Sequence, residues 1–321
     1  MFGVTKITLL ITCGIFLSSC STIGKKSPDQ LVFDASINKD NKAVIEAIQS
    51  GAYTKPEIEA IAQKAMDQRL CSLAYDVTSN YQLDPNLKSK YQTLFQCLLL
   101  DKQYDAALSM LKQGANPEFI KEARYERNDA LEEATAWGAI DVVDELLRLG
   151  MKPTSKAFYL GVSGHYHSSY ETAVKFVDMF KPFMSSFDLD YVFVNKPLLY
   201  EVTTERKFNV EQRRNLAKML LDNGADPNKG INKTEYGSAR NVDYIETPYM
   251  AVKGIPELTS LFLAYGANPE YEQMRDQAKF LANLKPGDQS QLGLVVEIKN
   301  NLVLLQQKDG QRWIPITEIK P

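Results

Sequence analysis

Three nearly identical tetrapeptides constrain this chain more than any other feature: Gly114-Ala115-Asn116-Pro117, Gly224-Ala225-Asp226-Pro227 and Gly266-Ala267-Asn268-Pro269. Each closes a run whose apolar residues recur at helical spacing. Glycine enters the left-handed conformation just past a helix without a Cβ clash, and the proline that follows cannot extend the helix. Each tetrapeptide is therefore a helix stop. Stops at a near-constant interval mean stacked units that bury their apolar faces on one another, rather than one irregular core.

Gly51 and Gly150 end runs of the same kind. Two more stops follow from alignment: Gln82-Leu83-Asp84-Pro85, a copy without the glycine, and the stretch around Ser186-Phe187-Asp188. Stops at 51, 82, 114, 150, 186, 224 and 266 leave intervals of 31, 32, 36, 36, 38 and 42 residues, so the chain reads as seven helix-turn-helix units. The fourth, residues 130–150, sets small residues in its first helix (Ala130, Ala134) against aliphatics in its second (Val142, Val143, Leu146, Leu147).

These marks resemble the ankyrin repeat, whose period is about 33 residues. Thr247-Pro248-Tyr249-Met250-Ala251 is similar to the family's Thr-Pro-Leu-His-x-Ala opening, Gly138 matches the glycine between paired helices, and Gly-Ala-Asn/Asp-Pro matches the repeat end. The match covers residues 31–270; most units lack the Thr-Pro opening and none has its histidine. A tetratricopeptide array is the rival, but it calls for a strict period of about 34 residues and longer helices. The resemblance implies a mainly α, ankyrin-repeat solenoid of about seven degenerate helix pairs, which binds a protein partner and is not an enzyme. Residues 271–284 look like the polar-faced capping helix that keeps a solenoid soluble.

At the amino terminus Lys6 precedes an apolar run, residues 7–17, too short to cross a bilayer, and Leu17-Ser18-Ser19-Cys20 follows. This is the layout of a signal peptide, and its last four residues resemble the bacterial lipobox. The resemblance implies removal of residues 1–19 and acylation of Cys20, by palmitate among other chains; an ordinary secretory signal with an incidental Cys20 is the alternative. Ser21 rather than Asp follows, which by the same resemblance implies the outer membrane, facing the periplasm. Residues 20–30 then read as a tether and residues 31–284 as the repeat domain with its cap. With Cys13 removed and Cys20 acylated, Cys71 and Cys97 remain on predicted helices of adjacent units, in a compartment that permits disulfides. They either bridge, which loop entropy values at about 3.5 kcal/mol, or sit as two small buried apolar residues.

Past Lys285-Pro286-Gly287-Asp288 the pattern changes to three β-rich runs, residues 292–298, 302–306 and 311–316, with turns at Asn300-Asn301 and Asp309-Gly310. Residues 285–321 look like a small three-stranded SH3-like module. So short a meander needs support, which predicts packing on the last repeat.

A balance of 37 basic and 40 acidic residues, without clustered Lys and Arg, excludes the counterion-displacing surface that nucleic-acid binding needs. Catalytic chemistry has few places to reside. His165 and His167 are the only histidines, and no Cys or acidic pair is spaced to complete a metal site with them. Gly161-Val162-Ser163-Gly164-His165 has the residue types of a nucleophile elbow, but its second glycine falls one place early and no strand-turn-helix surrounds it. No phosphate-cradling glycine loop occurs either. No catalytic residue, metal or cofactor is predicted.

Recognition has better candidates. Residues 228–246 exceed an ordinary repeat finger by about ten residues and offer Tyr236, Arg240 and Tyr244, types that anchor interfaces; simple slack is the other reading. An aromatic group from Phe158 to Tyr191 reads mostly as core, leaving Tyr166 and Tyr170 for contact. The expected function is a membrane-anchored scaffold or inhibitor acting on an unidentified protein in the periplasm, an immunity protein against a periplasmic effector being its sharpest form. The alternative is a peptidoglycan-associated envelope protein, with Trp313 of the SH3-like segment as the stacking residue.

Overall fold

The computed structural model describes residues 25–119, 128–164, 166–167, 169–237, 240–299 and 302–320. The chain divides into two compact units, residues 1–127 and 128–321. In the first, α1 (Pro28–Asn38) pairs with α2 (Asn41–Gln49), α3 (Lys55–Asp67) with α4 (Cys71–Asn80), and α5 (Leu94–Leu100) with α6 (Tyr104–Lys112). Helix α1 starts inside the stretch expected as tether. The Ser27 hydroxyl accepts from the Gln30 N–H at 3.2 Å, and Pro28 at the first helical position needs no partner for a missing N–H.

The second unit holds four more pairs: α7 (Ala130–Ala136) with α8 (Ile140–Arg148), α9 (Ser155–Ser163) with α10 (Tyr170–Phe180), α11 (Leu198–Thr204) with α12 (Val210–Asp222), and α13 (Pro248–Val252) with α14 (Pro256–Ala264). A 3-10 turn, Lys181–Ser186, ends the α10 segment, and two short strands, β1 (Val192–Phe193) and β2 (Lys196–Pro197), pair ahead of α11. Strands β3 (Ile231–Tyr236) and β4 (Asn241–Glu246) form an antiparallel hairpin between α12 and α13. Helix α15 (Glu270–Asn283) leads into β5 (Gln289–Ser290), β6 (Gly293–Lys299), β7 (Leu302–Gln307) and β8 (Gly310–Pro315), an antiparallel sheet in that strand order. This is the ankyrin-repeat fold with a small sheet at its end. The sheet has four strands where three were expected, because the two residues of β5 are too few to show an alternating pattern.

The stops behave as their chemistry requires. Gly51, Gly114, Gly150, Gly224 and Gly266 take φ of 78°, 94°, 91°, 97° and 84°. The next N–H reaches back to close the helix: Ala115 to Met110 at 3.0 Å, Ala225 to Leu220 at 3.1 Å and Ala267 to Phe262 at 3.0 Å. Gln82 takes the same left-handed conformation, φ 48°, without being glycine. Between paired helices Lys39, Arg69 and Lys102 do likewise, at φ 53°, 58° and 61°, where the fourth pair has Gly138.

Neighbouring stops are joined by a side-chain bracket. Two residues past a stop, Asp84, Asn116, Asp226 and Asn268 each accept from the N–H two places on, at 2.8, 2.9, 2.8 and 2.9 Å. Four residues past a stop, Asn86, Asp190 and Asn228 accept from the next stop segment: from Asn116 N–H at 2.7 Å, Asp226 N–H at 3.0 Å and Asn268 N–H at 2.7 Å. Asn86 and Asn228 also donate to the carbonyls of Gly114 and Gly266, at 3.4 and 3.3 Å. The stop near 186 has lost its glycine but keeps Asp188 and Asp190, which make the same local turn at 3.0 Å.

Ile61, Leu73, Leu94, Phe95 and Leu98 are fully buried in the first unit. Each is worth roughly 1.5–3 kcal/mol relative to exposure. Cys71 and Cys97, both buried, join α4 to α5 in a disulfide with their Cα atoms 5.6 Å apart. In the second unit Phe158, Tyr159, Phe176 and Phe180 are buried, and Phe158 stacks on Phe187 with ring centroids 4.8 Å apart, so the aromatic group is core. Gly161 lets α9 approach its neighbours: a Cβ there would lie 2.7 Å from Thr135 and 2.9 Å from the Phe176 ring. A further cluster unites Leu281 and Leu284 with Val295, Val303, Leu305, Ile314, Ile316 and Ile319, so α15 covers one face of the sheet.

Candidate partner-binding surface

Residues 228–246 are not slack. Strands β3 and β4 pair in unbroken register from Ile231 opposite Glu246 to Tyr236 opposite Asn241, with Thr234 donating across to Asp243 at 2.7 Å. The hairpin lies on α15. The Arg240 N–H donates to the Ala282 carbonyl at 3.3 Å, Val242 packs against the core between α15 and the sheet, and a Cβ on Gly237 would fall 2.0 Å from the Ala282 oxygen. The structure thus separates the three expected anchors. Tyr236 is 76% exposed, whereas Tyr244 is half-buried and Arg240 sits beside α15. Burial, then the charges of Glu246 and Glu235, raise the Tyr244 hydroxyl above its ordinary pKa.

Tyr166 and Tyr170 lie where α9 turns into α10. Tyr166 is exposed and its ring centre is 5.2 Å from that of Trp137, whose indole N–H donates to Glu133 at 2.8 Å. Tyr170 meets the buried Phe208 edge-on at 6.1 Å and is half-buried. Trp137 escaped the sequence reading; its signal was its position just before Gly138, at the end of a first helix. His167 Nε2 lies 2.8 Å from the Gly161 carbonyl, and burial holds the ring's pKa below its ordinary value. Ser163 is fully buried in the last turn of α9, out of reach of a substrate, and His165 lies outside the described residues.

A polar cleft of about 440 Å³ opens where α11, α12 and α13 meet the base of the hairpin. Tyr200, Thr203 and Thr204 of α11 form one wall, Ala251 and Ile255 another, and Arg206, Arg213 and Glu246 bring charge to it. The Tyr200 hydroxyl donates to Glu246 at 2.5 Å; burial first, then that bond and the Glu246 charge, raise its pKa far above the ordinary phenol value. Lys233 stands 3.8 Å from the same carboxylate. Arg213 donates through Nη1 to the Thr203 carbonyl at 2.9 Å, capping the end of α11. The extra residues between α11 and α12 carry Arg206, and buried Phe208 and the Lys207 bond to the Gly164 carbonyl at 3.0 Å hold that turn in place. Nothing in the spacing of these residues along the chain shows what the turn closes.

Trp313 is 40% exposed on the sheet face away from α15, opposite Leu304 and with Leu294, Val296 and Leu302 also exposed. Cys20 lies outside the described residues. Among the described residues no helix is long and apolar enough to cross a membrane, and no group of His, Cys, Asp and Glu could hold a metal ion.

No protein-family model and no curated protein sequence matches the chain. Among solved structures it is similar to an ankyrin repeat domain from Acinetobacter baumannii at 15% identity and TM-score 0.44, covering 64% of this chain and 98% of that one. It is similar also to the human ASB11 ankyrin repeat domain, at 12% identity and TM-score 0.44, covering 74% of this chain and 98% of that one. The pair geometry, the left-handed stops and the brackets define the repeat fold by themselves.

Proposed function

We propose that the chain is a non-enzymatic protein-binding scaffold or inhibitor, anchored through Cys20 to the bacterial outer membrane and working in the periplasm. The observation that carries the binding reading is a set of contact-type side chains on rigid supports: Tyr236 on a braced hairpin, Trp137 with Tyr166, and the arginine-bearing cleft. Interfaces are anchored by Tyr, Trp and Arg held in place in this way. An immunity protein that neutralises an incoming periplasmic effector is the sharpest form of the reading. A photo-crosslinking residue at Tyr236 or Tyr166 tests it: a discrete crosslinked protein from intact envelope is expected, and none from either position refutes it. For the anchor, Cys20→Ser should move the protein from the membrane to the soluble periplasmic fraction; retention at the membrane refutes it.

The second reading, attachment to peptidoglycan through the carboxy-terminal sheet, is favoured by the exposure of Trp313. Because Leu281 and Leu284 share a core with the strands, deleting residues 286–321 would also strip α15. Trp313→Ala is the cleaner variant. Loss of co-sedimentation with sacculi supports this reading, and unchanged co-sedimentation, or none in the parent, removes it.

A further inference from the structure

The cleft between α11, α12 and α13 has a charge pattern that points to one chemistry. Glu246 is the acid that lines it, and it is already engaged by the Tyr200 hydroxyl at 2.5 Å with Lys233 at 3.8 Å. The arginines are the reverse. Arg206 makes no hydrogen bond or ion pair among the described residues, and Arg213 uses Nη1 for the Thr203 carbonyl while its buried Nε meets no acceptor. Thr203 and Thr204 send their hydroxyl protons back into α11, to carbonyls at 2.8 Å, so the arginines are the free donors of this wall. Guanidinium forks match the oxygens of carboxylates and phosphates bidentately, and of the two a carboxylate is the one that an unmodified peptide carries. About 440 Å³ falls in the range of ordinary ligand sites and admits a side chain or a chain end.

We infer that this cleft receives a carboxylate borne on a peptide segment of the bound partner, with Arg206 as the recruiting charge and Arg213 as the inner one. The inference rests on the protein-binding reading above and adds to it the chemistry of the contact. An Asp or Glu side chain and a free chain terminus both supply that group. Arg206 holds no partner among the described residues, so replacing it tests recognition without loosening the fold, whereas Arg213 caps α11 and would confound the two.

The test uses the mature protein and three fluorescein-labelled pentapeptides followed by anisotropy: one with a central glutamate and an amidated end, one with a central glutamine and a free carboxyl end, and one with a central glutamine and an amidated end. At least one carboxylate-bearing peptide should bind at least tenfold more tightly than the third, and which one does so identifies the source. Arg206→Gln should erase that tenfold preference while leaving the thermal unfolding transition unchanged. Equal binding of all three peptides, no binding at millimolar concentration, or a preference that survives Arg206→Gln overturns the inference. Failure here with a crosslinked partner still captured at Tyr236 would discard the carboxylate site and leave the scaffold reading standing.

Discussion

Asn228 offers the sharpest test of what holds the repeats together. Its side chain accepts from the Asn268 N–H at 2.7 Å and donates to the Gly266 carbonyl at 3.3 Å. Asn228→Ala removes both. The groups left behind lie on an exposed turn and regain water, so the shorter bond is worth about 1 kcal/mol and the longer one about 0.5 kcal/mol, or about 1.5 kcal/mol together. For a unit of this size that lowers the melting temperature by roughly 3–6 °C. Tryptophan fluorescence reads the right unit, because Trp137 and Trp313, the two tryptophans, both lie within residues 128–321. Asp190 serves as acceptor alone to Asp226 N–H at 3.0 Å, so Asn228→Asp, which keeps the acceptor, should lose about 0.5 kcal/mol. A shift under about 0.3 kcal/mol for the alanine variant, or an aspartate variant as unstable as alanine, refutes the bracket as the tie between stops.

Four further outcomes follow from the same contacts. Gln82→Gly relieves a side chain held at φ 48° and should stabilise the first unit by about 0.5–1 kcal/mol in urea unfolding followed by circular dichroism. Replacing Cys71 and Cys97 by Ala should cost about 3.5 kcal/mol in the same assay, and thiol titration of the denatured mature protein should find no free thiol before reduction and two after. Burial keeps the Asp190 pKa above the ordinary carboxylate value, so its ionised form costs stability at neutral pH and the cost disappears below that ordinary value. Asp190→Asn should therefore stabilise more at pH 7 than near pH 3, by a difference of less than about 1 kcal/mol; an equal effect at the two pH values contradicts this reasoning. Gly237→Ala places a Cβ 2.0 Å from the Ala282 carbonyl oxygen, so the hairpin must lift and the Arg240 amide should exchange hydrogen markedly faster.

Much of the repeat fold was legible from local chemistry. Gly114, Gly224 and Gly266 announce their own backbone conformation, and Thr247-Pro248 announces a helix start, where the Thr247 hydroxyl accepts from the Met250 N–H at 3.4 Å. The degenerate stop at Gln82 was readable only through the Asp-Pro after it, because the cost of a left-handed glutamine is small enough for the rest of the repeat to bear. Arg69 and Lys102 gave no sign at all of the turns they hold, for the same reason. The candidate site was far less legible. Tyr236 looked exposed and is, but Arg240 and Tyr244 were of one kind with it in the sequence and differ in the fold, since α15 lies against one side of the hairpin and leaves the other to solvent.

Helix starts and stops, and with them the repeat class, are written locally in the chain, because caps, prolines and left-handed glycines act within about four residues. Which of the leftover residues became surface, brace or cleft depends on packing between elements. Tyr200, Arg206, Arg213 and Glu246 are separated by as many as 46 positions, and nothing in the spacing of the last of them relates it to the others. They meet because consecutive helix pairs pack side by side and an insertion after α11 folds over the seam, a relation set by packing among elements rather than by any residue's neighbours in the chain.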